Sequence, residues 1–148
     1  VLAILVAVAI VSVGCAGDEG RAGSGTPGAG AADVDVDDGP ITLLDPDEFE
    51  ALLDDRPDLD VINVHIPYEG HIEGTDHFVD YRDLPAWDGL PDDLDAEIVL
   101  YCRTGRMSGE ASDELVALGY TNVTDLLGGF VAWELSGREL LHAAPAVE

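Results

Sequence analysis

The hydrophobic and polar positions divide the chain into three parts. Val1 to Val13 is a run of thirteen residues that contains no charge. The next part, to about residue 40, is rich in Gly, Ala and Asp and has almost no large apolar side chain. From Ile41 to about Leu141, short apolar runs alternate with turn residues, as they do in a folded domain. We therefore predict an export or anchor segment at residues 1–15, a flexible acidic Gly-rich linker at residues 16–40 and one domain at residues 41–143.

The domain contains three predicted helices. Asp45 to Glu48 combines an N-cap Asp, a Pro at the first helical position and the Glu of a capping box, and the helix that starts there should end at Arg56. Ser108 to Leu118 carries apolar residues at helical spacing and is followed by Gly119, a typical C-terminal residue. A third, shorter helix should span Phe130 to Leu135.

Three short apolar runs rich in β-branched residues alternate with these helices, and we expect them to be buried strands. They are Asp60 to Val64, Glu97 to Tyr101 and Thr121 to Leu126. Helices that alternate with short buried strands predict an α/β fold with a small parallel β-sheet flanked by helices.

The charge balance narrows the classes of partner. The chain has 31 Asp and Glu residues against 6 basic residues, all of them Arg, which gives a formal net charge of −25. Such a charge repels phosphate backbones and anionic lipid headgroups, so we expect no nucleic-acid partner. It also destabilises a compact state at low ionic strength, which favours a protein adapted to high salt. A generally acidic protein without that adaptation remains the alternative.

The N-terminal apolar run predicts the location of the protein. Its length falls short of the roughly 20 residues that span a bilayer as a helix, but it suits the apolar region of a secretory signal. Val13-Gly14-Cys15 resembles the end of a bacterial or archaeal lipoprotein signal, in which the cysteine is lipidated. We therefore expect lipidation at Cys15 and a domain outside the cytoplasm, anchored to the cell membrane. A truncated transmembrane anchor remains an alternative.

The candidate chemistry lies between the second and third predicted strands. There a buried strand leads into Cys102, a loop with Gly105 and the start of a helix. Ligands bind at the carboxyl ends of parallel strands, and loop N–H groups at a helix N-terminus attract negative charge. Arg103 and Arg106 add two cations to this loop. These features favour a thiolate, so Cys102 is the candidate nucleophile; the alternative is a small buried hydrophobic residue.

Three segments resemble motifs of the rhodanese family of sulfurtransferases, and the resemblance covers residues 41 to about 141. Cys102 to Ser108 resembles the family's active loop, Cys-Arg-Ser/Thr-Gly followed by variable residues and a small residue. Gly70-His71-Ile72 resembles its Gly-His-Ile turn, and Leu127 to Trp133 resembles its Gly-Gly-aromatic-x-Ala-Trp signature. One departure is Asn63-Val64-His65, where the family often has Asp-Val-Arg, so residue 63 offers no carboxylate to the loop arginine.

The resemblance implies a rhodanese-like fold and a sulfurtransferase. Cys102 would carry sulfur as a persulfide, received from a small anion such as thiosulfate and passed to a thiophilic acceptor. The residues implied in substrate binding are those of the loop: Arg103, Thr104, Gly105, Arg106, Met107 and Ser108. The family requires no metal or organic cofactor. The alternative is a membrane-anchored rhodanese-like module that binds a protein partner, or presents sulfur to it, without turnover of its own; that partner is unknown.

Two other chemistries fit the sequence poorly. Phosphatases with a related strand, loop and helix have an Arg at the sixth position after the cysteine, where this chain has Ser108. The histidines lack the spacing of zinc ligands, so we expect no metal site; they are His65, His71, His77 and His142.

Overall fold

The computed structural model describes residues 39–143. The predictions for residues 1–15 and for residues 16–38 of the linker lie outside the described residues. In chain order the elements are β1 (Ile41–Leu44), α1 (Pro46–Asp55), β2 (Val61–Asn63), β3 (His77–Phe78), β4 (Ile98–Tyr101), α2 (Arg106–Leu118), β5 (Val123–Leu126) and α3 (Gly129–Leu135). A short 3-10 helix, Leu84–Ala86, lies between β3 and β4. Within residues 39–143, no helix is long and apolar enough to cross a membrane.

The five strands form one parallel sheet in the order β1-β5-β4-β2-β3. Every residue of β2, β4 and β5 is buried, as expected for strands covered by helices on both faces. The prediction of an α/β fold with a small parallel sheet flanked by helices is confirmed. Because β4 occupies the middle of the sheet, the residue that follows it lies at the centre of the carboxyl edge.

The predicted capping box begins α1. The Asp45 carboxylate accepts hydrogen bonds from the N–H groups of Asp47 and Glu48, both at 2.9 Å. In return, the Glu48 carboxylate accepts the N–H of Asp45 at 3.0 Å. These bonds satisfy N–H groups that a helix start would otherwise leave unpaired, so α1 begins where the sequence predicts.

Helix α2 starts at Arg106, two residues before the predicted start at Ser108. Gly105 is the N-cap residue of α2 and has φ +88°, a conformation that glycine adopts readily. The chain therefore changes direction at Gly105, and the helix begins at the next residue. The helix ends as predicted, because Gly119 adopts φ +105° and its N–H bonds the carbonyl groups of the last turn. The loop after Cys102 is therefore only three residues long.

The alternation of side chains along β4 divides the core into two layers. Ile98 and Leu100 pack in the layer that contains α2, with Ala111 and Leu115. Val99 and Tyr101 point the other way, into the layer that contains α1 and α3, where Phe49 and Trp133 are buried. Both faces of the central strand are thus fixed by packing, which holds its carboxyl end in place.

Two strands were not predicted from the sequence. β1 is a half-buried edge strand of four residues, and its apolar residues run directly into the N-cap of α1, so the sequence does not separate the strand from the start of the helix. β3 has two residues, which is too short for a periodicity signal. The sheet therefore has five strands where the sequence predicts three.

Candidate active site

The sulfur of Cys102 lies directly after β4 and accepts two hydrogen bonds. The N–H of Gly105 donates to Sγ at 3.1 Å, and the hydroxyl of Ser108 donates at 3.3 Å. Cys102 itself is 1% exposed. A thiol needs no such donors, whereas an anionic sulfur taken out of water does. The N-terminus of α2, one residue beyond Gly105, adds the positive end of a helix dipole at the same loop.

The start of α3 holds the first residues of the loop. The N–H of Phe130 donates to the carbonyl oxygen of Cys102, and that of Val131 to the carbonyl oxygen of Arg103, both at 3.0 Å. A Cβ on Gly129 would lie only 2.4 Å from the Cys102 oxygen, and Gly129 has φ +62°. Only glycine fits this close approach, so the Gly-Gly-aromatic segment positions the cysteine loop.

Arg103 is held by a carboxylate that the sequence analysis did not identify. Its Nη1 lies 2.9 Å from Oε2 of Glu69, and the same oxygen lies 3.0 Å from Nε2 of His65. The Asn63 side chain instead bonds two backbone groups. Its amide donates to the Gly70 carbonyl at 3.0 Å, and its Oδ1 accepts the N–H of His65 at 2.9 Å. Glu69 thus supplies the negative charge that Asn63 lacks.

Arg106 is also paired. Its Nη1 contacts Oε1 of Glu110, one turn along α2, at 2.7 Å. Both loop arginines are largely exposed, so each ion pair is open to screening by salt. The fixed attraction for a negative sulfur therefore comes from the Gly105 N–H and the Ser108 hydroxyl, and the arginines add charge that is shared with carboxylates.

Cys102 lies in an open cleft with a volume of about 400 Å³. This volume is in the range of small-molecule sites, about 300 to 1,000 Å³. Gly105 and Ser108 do not line the cleft but bond the sulfur. His65 and Val131 line it and were not predicted as site residues. The complete lining is His65, Cys102, Arg103, Thr104, Arg106, Met107 and Val131.

A buried carboxyl group lies on β5, the strand next to β4. Asp125 of β5 is 2% exposed, and its Oδ1 has no hydrogen-bond partner among the described residues. Burial raises the pKa of Asp125 to about 7, although hydrogen bonds with the Ser108 side chain and the Leu126 backbone oppose the rise. The sequence held a signal for this group, since an acidic residue inside a predicted buried strand needs an explanation. A weaker signal marked Glu69, which precedes Gly70 of the second motif.

The family model of the Rhodanese-like domain matches residues 45–136, more than half of the chain. The chain belongs to the rhodanese-like family. The resemblance found in the three motifs is therefore confirmed at the level of the family. This rhodanese-like chain is 36% identical over 98 residues to the tRNA uridine(34) hydroxylase of Streptococcus thermophilus, an alignment that covers 61% of this chain and 29% of that protein.

Solved structures agree with this assignment. The rhodanese homolog TT1651 of Thermus thermophilus has a TM-score of 0.52 and 26% identity, over 62% of this chain and 99% of that one. The thiosulfate sulfurtransferase of Pseudomonas aeruginosa has a TM-score of 0.59 and 22% identity, over 73% of this chain and 22% of that one, and this similarity concerns the fold alone. Among the curated relatives compared here by sequence, the chain spans between 19% and 36% of the relative's length.

Proposed function

We propose that this rhodanese-like protein is a sulfurtransferase that moves sulfur from thiosulfate, or a similar donor, to a thiophilic acceptor through a persulfide on Cys102. The observation that carries the proposal is the pair of hydrogen bonds to Sγ, from the Gly105 N–H and the Ser108 hydroxyl. They stabilise a negative charge on sulfur at the bottom of an open cleft. A sulfur-transfer reaction needs this charge in the attacking thiolate and again in the persulfide.

In the first step, the Cys102 thiolate attacks the outer sulfur of thiosulfate. A bond forms between Sγ and that sulfur, the sulfur–sulfur bond of the donor breaks, and sulfite leaves with the bonding electron pair. The product is an anionic Cys102 persulfide. The total charge is unchanged, and no other oxidant or reductant takes part.

In the second step, an acceptor attacks the outer sulfur of the persulfide and the thiolate of Cys102 leaves. With cyanide as the acceptor, the product is thiocyanate. Arg103 and Arg106 both line the cleft, where either guanidinium can bind the oxygens of the donor once it turns from its carboxylate partner. Thr104 and Met107 complete the wall of the cleft.

The relatives named tRNA uridine(34) hydroxylase suggest another substrate class, and the charge of this chain argues against it. Binding of tRNA requires cations that neutralise phosphates, whereas this chain carries a net charge of −25. Each of the five arginines in residues 39–143 already contacts at least one carboxylate. A tRNA would bring many phosphates close to the acidic surface, whereas a small anion brings its charge into one cleft only. Electrostatic repulsion therefore opposes a small sulfur donor less than it opposes RNA.

The test measures thiocyanate formation from thiosulfate and cyanide in molar KCl, with the wild-type chain and with Cys102→Ser. The serine variant should fold and show no turnover, because its hydroxyl remains protonated and forms no persulfide. Intact-mass measurement after incubation with thiosulfate should find one added sulfur atom on the wild type and none on the variant. Asp113→Asn, which removes one charge from the exposed side of α2, is the matched control and should keep full activity.

One result would overturn the proposal that the protein is an enzyme. If the folded wild type neither turns over thiosulfate or mercaptopyruvate nor gains a sulfur atom, the protein is instead a rhodanese-like module that docks with a partner.

A further inference from the structure

Both arginines of the cleft are occupied by carboxylates of the chain itself. Nη1 of Arg103 lies 2.9 Å from Oε2 of Glu69, and Nη1 of Arg106 lies 2.7 Å from Oε1 of Glu110. An anion that binds either guanidinium must therefore displace a carboxylate. Exposed ion pairs contribute little to stability, so this exchange is feasible at both positions.

The two carboxylates differ in what holds them once the arginine has turned away. Oε2 of Glu69 also lies 3.0 Å from Nε2 of His65, and because a carboxylate only accepts, that nitrogen is the donor. The His65 side chain is 8% exposed and lines the cleft, so it cannot follow the carboxylate into solvent. Among residues 39–143, Glu110 has no ion-pair partner other than Arg106, and it borders a different groove, beside Tyr81. A displaced Glu69 thus stays at the cleft, whereas a displaced Glu110 is free to turn into water.

The backbone at Glu69 is tied to two other parts of the chain. Its carbonyl oxygen lies 3.2 Å from Nδ1 of His142. The next carbonyl, that of Gly70, accepts the buried Asn63 amide at 3.0 Å. Because these bonds oppose a movement of the backbone, only rotation of the side chain can take the carboxylate away from the cleft, and the bond to His65 opposes that rotation.

An anion bound at Arg103 therefore has a charged carboxylate beside it. The repulsion increases with the charge of the anion, so it is larger for thiosulfate, a dianion, than for a thiosulfonate, R–SO₂–S⁻, which has one negative charge. Both donors have an outer sulfur that the Cys102 thiolate can attack. With a thiosulfonate, a bond forms between Sγ and that sulfur, the sulfur–sulfur bond of the donor breaks, and the sulfinate leaves with the bonding electron pair.

We propose that Glu69 is a specificity-determining residue, which discriminates against dianionic sulfur donors and favours donors with one negative charge. As far as sulfur donors are concerned, the proposal rests on the proposed function, whereas competition between Glu69 and an anion for Arg103 exists without it. The opposing interpretation is that Glu69 only holds Arg103 in the position that an anion needs. Removal of the carboxylate strengthens anion binding in the first case and weakens it in the second.

The kinetic test compares thiosulfate with methanethiosulfonate at constant ionic strength in molar KCl. Glu69→Gln keeps the length of the side chain and removes its charge. The KM for thiosulfate should fall about threefold, as the loss of one exposed ion pair predicts, while kcat changes little because Glu69 does not touch the reacting sulfur. The kcat/KM for thiosulfate, divided by that for methanethiosulfonate, should rise about twofold or more. This ratio does not depend on the fraction of folded protein, so a variant that folds poorly still gives an answer. A higher KM for thiosulfate, or an unchanged ratio, would overturn the proposal.

Two variants control for the loss of charge. Glu73→Gln removes the same charge from an exposed position outside the cleft and should leave both donors unaffected. Glu110→Gln frees Arg106 and should change kcat/KM for the two donors by the same factor. If either variant changes the ratio as much as Glu69→Gln does, the effect comes from the net charge of the protein and the proposal is wrong.

A binding measurement separates this proposal from the proposed function. Sulfate and methanesulfonate carry two charges and one charge, and neither has a sulfur atom to transfer. Each is titrated at constant ionic strength while the side-chain Nε–H resonance of Arg103 is followed by NMR. The dissociation constant of sulfate should be about threefold lower in Glu69→Gln than in the wild type, and that of methanesulfonate should change less. An equal change for both anions, or no response of Arg103 to either anion, would overturn the proposal. The expected shift together with an absence of turnover would refute the sulfurtransferase and leave the role of Glu69 in anion selection standing.

Discussion

Replacing Asp125 with Asn should remove a loss of stability that the protein undergoes as the pH rises toward neutral. In the unfolded chain this carboxyl ionises near its ordinary pKa of 3.8, whereas in the folded protein burial raises the pKa to about 7. Between these values the unfolded state has lost the proton and the folded state has kept it. The free energy of unfolding therefore falls as the pH rises from about 4 to about 7, and the loss is constant above that range.

The size of the effect follows from the two pKa values. A difference of about 3 pH units, at about 1.4 kcal/mol per unit, gives about 4 kcal/mol. This is a large part of the roughly 5 to 15 kcal/mol that stabilises a typical domain. Asn does not ionise, so any change in the free energy of unfolding that comes from how Asn packs in the site is the same at every pH. The free energy of unfolding of Asp125→Asn minus that of the wild type should therefore increase by about 4 kcal/mol from pH 4 to pH 8.

Urea unfolding in molar KCl at several pH values from 4 to 8 measures this difference. Tryptophan fluorescence is a suitable probe, because Trp133 is buried in the folded protein. Asp113→Asn lies on the exposed side of α2, and its difference from the wild type should stay within about 0.5 kcal/mol at every pH. A difference for Asp125→Asn that is the same at pH 4 and pH 8 would refute the reasoning, since Asp125 would then ionise equally easily in both states.

Three further predictions concern charge and location. Thermal melts from low salt to molar KCl should show Tm rising by about 5 °C or more, because salt screens repulsion among the carboxylates; a flat or falling Tm would contradict this. Arg103→Met and Arg106→Met should each lower kcat/KM for thiosulfate by about ten- to a hundredfold, and unchanged kinetics in the double variant would mean that backbone N–H groups bind the donor alone. Cys15→Ser should move the protein from the detergent phase to the aqueous phase, and a variant still wholly in the detergent phase would indicate an uncleaved anchor.

The sequence predicted those parts of the fold that depend on local chemistry. The capping box at Asp45 and the C-terminal Gly119 act within one or two turns, so their residues are adjacent in the chain. The buried central strands are marked by apolar runs. β1 was missed because its four residues merge with the start of α1, and β3 because a two-residue strand exists only through its pairing with β2.

The candidate site also has parts that the sequence predicts and parts that only the folded structure shows. The loop after Cys102 could be recognised because all its residues are consecutive. The partner of Arg103 could not, since Glu69 lies 34 positions earlier and meets the arginine only after β2 and β4 pair. The burial of Asp125 likewise depends on how α2 packs on β5. Contacts of this kind follow from tertiary packing, which a pattern along one chain does not encode position by position.

The bonds from Phe130 and Val131 to the loop carbonyls also bear on the order of events during synthesis. The ribosome makes Cys102 before the residues that hold its loop. At about 5 to 20 residues per second, Val131 follows Cys102 by about 1.5 to 6 s. During that interval the nascent chain contains the cysteine but lacks the α3 N–H groups that fix the loop. The Cys102 thiol therefore exists before its loop is fixed, and a ribosome that stalls between these positions carries the cysteine without the geometry of the folded loop.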